Sequence, residues 1–245
     1  MFEKKFDINT ADGVADAEFY APGESGQWPG ILLYIDAMGV RDSFRDMGRK
    51  FASEGFAVLL PNLYYRDSRA PYTDHDLNIT DEKDKVIIQK MMGRLTPEIV
   101  RRDAPFWVEA LVAQKQTGSG RIGVVGYCMS GSMALRTAAL APAKIGAAAS
   151  FHGSRLVTDD PESPHTLAAQ LKAKLYFGFA IEDQSMPPDA VDRLRATLDK
   201  AGASYGSDVY DGARHGWCVR DHRMYNAAQA EVACQRTVKL FKDAL

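Results

Sequence analysis

The stretch Arg121 to Leu135, RIGVVGYCMSGSMAL, constrains this chain more than any other. Ile122, Val124 and Val125 form a short apolar run of the kind that makes a buried strand, and Gly126 closes it. From Met129 a helical pattern carries Met133, Ala134 and Leu135 on toward Pro142. Cys128 stands between strand and helix, with Gly126 two residues before it and Ser130 and Gly131 just after. A side chain on so sharp a turn is held in strained backbone geometry, and only small neighbours avoid a clash; this is the spacing of a nucleophile elbow. The turn also aims the first free N–H groups of the helix at whatever Cys128 attacks, and a helix N-terminus favours negative charge on a thiolate or an oxyanion. The plainer reading is a small buried cysteine, since free cysteine is among the most buried residue types. Ser130 competes as nucleophile, but it falls inside the first helical turn with Cys128, not glycine, at its own minus-two position.

The rest of the chain supplies a parallel sheet for that strand to join. Phe2 to Ile8 and Asp16 to Tyr20 read as two opening strands around a turn at Ala11, Asp12 and Gly13. ILLYI (Ile31 to Ile35) and FAVLL (Phe56 to Leu60) are continuous apolar runs, as in strands covered on both faces, with a helix between them that Gly55 ends. From Asn62 to about Lys90 no period is sustained, and 62–95 is expected to be a lid or an excursion. Thr96 then caps a helix with Pro97 at its first position, running to about Gln116. Further strands follow at Lys144 to Phe151, Lys174 to Ala180 and Tyr205 to Tyr210. Helices are expected at Asp189 to Lys200 and at the C-terminus, where Cys234, Val238, Phe241 and Leu245 keep helical spacing, so Cys234 reads as core. Strand and helix alternate without a linker, which predicts an α/β fold: a mostly parallel central sheet, helices on both faces, and a single domain over 1–245.

Composition excludes several classes of function. Net charge is −2 with acids and bases interspersed, so no basic face suggests nucleic acid and no polybasic stretch suggests a membrane surface. No apolar run is long enough to span a bilayer, and MFEKKFDINT lacks the apolar centre of a signal peptide. Three cysteines, Cys128, Cys218 and Cys234, fall at no metal-like or disulfide spacing, which fits a reducing, cytoplasmic compartment. No HExxH or paired-cysteine motif implies a metal, and GYCMSG lacks the spacing of a dinucleotide loop, so no cofactor is expected.

In open parallel sheets, sites form just beyond the carboxyl ends of the strands. Four residues stand there: Asp36 after ILLYI, Cys128 after the elbow strand, Asp183 after LYFGFA, and His215 in the loop DGARHG after the last strand. Nucleophile, acid and histidine in that chain order are the α/β-hydrolase order. A thiol near neutrality needs a histidine to take its proton and return one to the leaving group. A carboxylate on the other ring nitrogen fixes the tautomer and stabilises the imidazolium. Taken singly, Asp183 is also a turn former and His215 a loop histidine; three suitable types after three suitable strands argue for a site. His152, in the SFHG turn, reads either as pocket lining or as a satisfied core histidine. His75, His165 and His222 lie in polar stretches and are expected at the surface.

These motifs resemble the dienelactone hydrolase family of α/β-hydrolases over nearly the whole chain. The likeness lies in DAMGVRD, LLPNLYYR, GYCMSG with cysteine at the elbow, GFAIEDQSMPP and GARHGW. The resemblance implies that Cys128 is the nucleophile, His215 the base, Asp183 the orienting acid, and the backbone N–H groups of Ala37 and Met129 the oxyanion donors. It also places Asp36 beside the resting thiol, as an aspartate where the family's best-studied members carry glutamate; the plainer reading is a turn aspartate. Tyr64, Trp217 and Arg220, with His152 if it is not simply core, are the further pocket candidates. Family arginines grip a substrate carboxylate, one of them four residues after the histidine; here that position is Val219, and Arg220 comes one step later. The implied activity is hydrolysis of a small lactone or ester, with a thioesterase or carboxylesterase as the neighbouring alternative. The alternative from a different class is a non-catalytic, redox-responsive or ligand-binding protein of the same fold. No nucleic-acid or membrane partner is expected, and the oligomeric state is not legible.

Overall fold

The structure is a computed structural model that describes residues 1–245. The chain divides into two compact units, Met1–Ser119 and Gly120–Leu245.

The first unit opens with β1 (Phe2–Thr10) and β2 (Gly13–Ala21), an antiparallel hairpin. Gly13, at φ 140°, takes the turn conformation that other residues avoid. β3 (Gly30–Tyr34) and β4 (Ala57–Pro61) run parallel to each other, and β2 lies antiparallel against β4. Every residue of β3 and β4 is buried, which is why ILLYI and FAVLL read as unbroken apolar runs. α1 (Asp42–Ser53) presents Phe44, Phe51 and Ala52 inward, and at Gly48 it crosses the Tyr20 ring so closely that a Cβ there would stand 2.8 Å from it. α3 (Pro97–Val112) begins where the sequence puts it, with the Thr96 hydroxyl oxygen accepting the N–H of Ile99 at 3.3 Å, but it ends four residues before Gln116.

Between β4 and α3 the expectation of a patternless excursion is only half met. Asn62 to Asp81 lacks regular structure but is closely tied down. The buried Asn62 amide donates to Asp16 and to the Ser68 carbonyl, both at 2.8 Å, while its oxygen accepts from Tyr64 N–H at 2.9 Å and the Tyr72 hydroxyl at 2.8 Å. A helix, α2 (Glu82–Arg94), then follows, capped by Asp81, whose carboxylate accepts the N–H groups of Lys83 at 2.8 Å and Asp84 at 3.2 Å. Only Asp84, Ile88 and Met91 are buried on it, so its apolar stripe is too thin to show as a period.

The second unit carries four consecutive parallel strands in sequence order: β5 (Ile122–Tyr127), β6 (Ile145–Phe151), β7 (Lys174–Ala180) and β8 (Tyr205–Tyr210). α4 (Ser130–Leu140) follows β5, α5 (Pro188–Ala201) follows β7 and ends at Gly202 in the left-handed conformation, and α6 (Ala227–Lys242) closes the chain. Glycines show that α4 and α6 take opposite faces of β5. A Cβ on Gly126 would strike the Ser130 carbonyl of α4, whereas a Cβ on Gly123, an odd number of residues away, would strike the Phe241 ring of α6. α6 buries Ala233, Thr237 and Phe241, with Cys234 half-buried beside them. In this unit the sequence reading missed one element, a 3-10 helix at Pro164–Gln170. It also misplaced His165, which is not at the surface but buried, with Nδ1 2.8 Å from the Ser163 hydroxyl.

Candidate active site

β5 delivers Cys128 into a positive backbone angle, φ 56°, which a non-glycine residue adopts only where its surroundings impose it. Those surroundings are specific. A Cβ on Gly126 would lie 2.1 Å from the Ser130 carbonyl oxygen, and one on Gly131 would lie 2.2 Å from Ser150 Oγ and 2.8 Å from Gly153 Cα. The Cys128 N–H is shared between the Phe151 carbonyl and His152 Nδ1, both at 3.1 Å. Its carbonyl accepts the N–H of Gly131 at 3.1 Å and of Ser154 at 2.9 Å. Sγ is half-exposed, 3.8 Å from the Ser154 hydroxyl. Ser130, the competing nucleophile, is fully buried; its hydroxyl accepts the Tyr127 N–H at 2.9 Å and donates to the Tyr127 carbonyl at 3.0 Å, so it caps the turn.

β7 and β8 bring the acid and the histidine together. Asp183, buried after β7, accepts His215 Nδ1–H on Oδ2 at 2.8 Å. Its Oδ1 accepts both the N–H of Ser185 at 2.9 Å and the Ser185 hydroxyl at 2.7 Å, an Asx turn built into the sequence D-x-S. Burial works to raise the Asp183 carboxyl, but the bonds from His215 and Ser185 and the His215 charge outweigh it and hold the group below the usual carboxylate range. His215 shows the opposite balance. Burial favours the neutral ring, yet hydrogen bonding and electrostatic interaction with the Asp183 and Cys128 side chains push its pKa up to about 10. His215 is thus bonded to Asp183 through Nδ1 and influenced by Cys128.

The remaining pocket candidates sit as follows. His152 is buried after β6 with its ring edge-on to His215, centroids 5.0 Å apart, and to Trp217 at 5.1 Å. Trp217 is wholly buried against Phe151 and Tyr210 as well, and its Nε1 meets no acceptor. Val219 is fully buried, and Arg220 is exposed. In the first unit, Asp36 is buried in a bidentate pair with Arg41, 2.7 Å from Nη1 and 2.9 Å from Nη2, and it also accepts the Met38 N–H at 2.9 Å. Both of its oxygens are thus engaged by a cation five residues on, a pairing the sequence reading did not foresee. Ala37 is buried with its carbonyl accepting the Tyr64 hydroxyl at 3.0 Å. Ser154 and Ser185 were also missed; only the D-x-S spacing after β7 signalled either of them.

A mostly parallel sheet between helices, with a cysteine elbow after one strand and an acid and a histidine after the next ones in chain order, is the α/β-hydrolase fold. A sequence model described as the dienelactone hydrolase family matches residues 15–245, and the chain belongs to that family. A protein of Methylorubrum extorquens named "Putative carboxymethylenebutenolidase" is 28% identical over 244 residues, covering 96% of this chain and 79% of that one. One of the same name from Synechocystis is 27% identical, covering 91% and 89%. Among solved structures, a "Putative Dienelactone Hydrolase" from Klebsiella pneumoniae superimposes with a TM-score of 0.85 at 22% identity, covering 98% of each chain, a likeness of fold.

Proposed function

We propose that the protein hydrolyses small lactones or esters through a Cys128–His215–Asp183 triad and a covalent acyl-enzyme. One observation carries this reading: His215 holds Asp183 on Nδ1 at 2.8 Å while its hydrogen bond to the Cys128 side chain helps raise it to about 10. A ring held by a carboxylate on one nitrogen can take a thiol proton, and the thiolate is the nucleophilic form of cysteine.

Sγ attacks the carbonyl carbon, and the C=O π pair moves onto oxygen. The oxyanion meets the N–H of Met129, the residue that opens α4. Collapse re-forms the carbonyl and breaks the bond to the leaving oxygen, which takes the proton from His215. The neutral imidazole then removes a proton from water as the water attacks the thioester, and the second collapse expels thiolate beside imidazolium. Net, one water and one ester give one acid and one alcohol; for a lactone, the two products remain one molecule. Asp183 holds the ring in the tautomer both steps require. The burial of Val219, where family members carry a carboxylate-gripping arginine, favours neutral substrates over carboxylate-bearing lactones. No helix is long and apolar enough to cross a membrane. All three cysteines are free, which fits a reducing, cytoplasmic setting.

A turnover screen of small lactones, aryl esters and thioesters, run on wild type and Asp183→Asn, tests the reading. The variant is expected to keep its fold and lose about 10⁴-fold in kcat, the effect of the matching change in a Ser-His-Asp protease. Activity within about twofold of wild type contradicts the triad.

A further inference from the structure

Resting on the reading of Cys128 as nucleophile, we propose that His152 is a positioning residue: its Nδ1 holds the backbone N–H of Cys128 and fixes the direction in which the elbow presents the thiol. His152 follows β6 at φ 38°, an unusual angle for a side-chain-bearing residue, with its own N–H on the Gly178 carbonyl at 2.8 Å. The ring is 1% exposed and wedged between His215 and Trp217. Because Nδ1 accepts, the proton of the neutral ring sits on Nε2. Burial, reinforced by the charges of His215 and His222, holds the ring well below its ordinary pKa, so it stays an acceptor while His215 carries the charge.

Two features separate this role from plain packing. Nε2 is buried and meets no partner, a defect that a phenylalanine of similar shape would not have; what phenylalanine lacks is the acceptor at Nδ1. The bond also falls on a residue whose other side is already anchored, since the Cys128 carbonyl is held by Gly131 and Ser154. The N–H is held by the Phe151 carbonyl and, from the side, by His152 Nδ1, both at 3.1 Å, so both peptide planes around a strained φ of 56° are fixed, and the second acceptor sets the Cα–Cβ direction. One ring thereby sets the nucleophile's backbone and packs on the base that serves it. A reacting atom displaced by about 1 Å loses on the order of 10²-fold in rate.

The test is steady-state kinetics on an activated aryl ester, with the thermal midpoint followed in parallel, for wild type, Cys128→Ala, His152→Phe, His152→Leu and His152→Asn. His152→Phe keeps the ring and removes the acceptor. His152→Asn keeps an acceptor the same number of bonds from the backbone, and asparagine tolerates positive φ. Expected is a loss of roughly 10²-fold for His152→Phe, carried by kcat with KM within about threefold and no fall in the midpoint. His152→Asn should recover at least about tenfold of that loss. If His152→Phe does not fold, His152→Leu is read in its place. Activity of the acceptor-less variant within about threefold of wild type overturns the proposal, as does His152→Asn no better than His152→Phe, which would make the ring and not the acceptor what matters. Turnover surviving in Cys128→Ala overturns the nucleophile and this role with it; loss of turnover there with a fully active His152→Phe overturns the positioning role alone.

Discussion

At His215 two partners win against burial for one proton, and that has a consequence outside catalysis. The folded ring titrates at about 10 against an ordinary 6.5, so the folded state binds the proton more tightly than the unfolded chain does. The stabilisation this gives is complete below the unfolded value and is lost as pH rises from about 6.5 through about 10. Asp183 works in the other direction: its folded value lies below 3.8, so its share is present above 3.8 and lost as pH falls through the folded value. Thermal unfolding midpoints between pH 6.5 and 10 should therefore decline in wild type and decline less steeply in Cys128→Ala, where one support of the His215 proton is gone. Parallel declines would contradict the coupling. Single residues differed in how far the sequence revealed them. Cys128 and Asp183 were legible because each follows a strand with an apolar run, and His215 because it stands in the loop DGARHG at the end of the strand–helix alternation. The bidentate Asp36–Arg41 pair was not, because a contact closed across a five-residue turn leaves no periodic trace. His152 was legible as a strand-end histidine, but its neutral state depends on burial, which pattern alone does not give.

The elbow is the element on which the others converge, and its geometry rests on missing side chains. An alanine at Gly126 would place its Cβ 2.1 Å from the Ser130 carbonyl oxygen and 2.9 Å from the Gly131 nitrogen, both backbone atoms of the turn into α4. Neither retreats without moving the start of the helix, so Gly126→Ala is expected to destabilise the protein by roughly 1–3 kcal/mol and to lower turnover by re-aiming Cys128. Denaturant unfolding with parallel kinetics measures both; wild-type stability and rate together would show that the turn relaxes freely. The elements themselves divide by how they are stabilised. β3 and β4 were readable from continuous apolar runs bounded by glycine or proline, β5, β6 and β7 from apolar runs of their own, and α3 from its Thr96 cap with Pro97 behind it; β8, YGSDVY, has no such run. α2 rests on the Asp81 cap and two buried apolar side chains, Ile88 and Met91, and a helix built that way looks in sequence like a charged loop.

For the molecule as a whole, the family match spans residues 15–245, while the substrate has to be argued from this chain's own charges. A carboxylate entering a partly apolar site needs a fixed cation, and a charged hydrogen bond there is worth about 1.5–3 kcal/mol. With Val219 buried and Arg220 exposed, Arg220→Ala should change kcat/KM by less than about threefold on both members of a matched pair, a carboxylate-bearing ester and its methyl ester, with the methyl ester preferred. A loss of about tenfold confined to the anionic ester would show that the arginine grips it. All of this depends on Cys128 forming a covalent bond to the acyl group. The most direct measurement is mass spectrometry of the intact protein, acid-quenched within the first turnovers of an activated aryl ester and followed by peptide mapping. The account predicts a mass increase equal to the acyl group, confined to the peptide containing Cys128, absent in Cys128→Ala and accumulating before steady state. An unmodified Cys128 during full turnover, or an acyl group on any other residue, would contradict it.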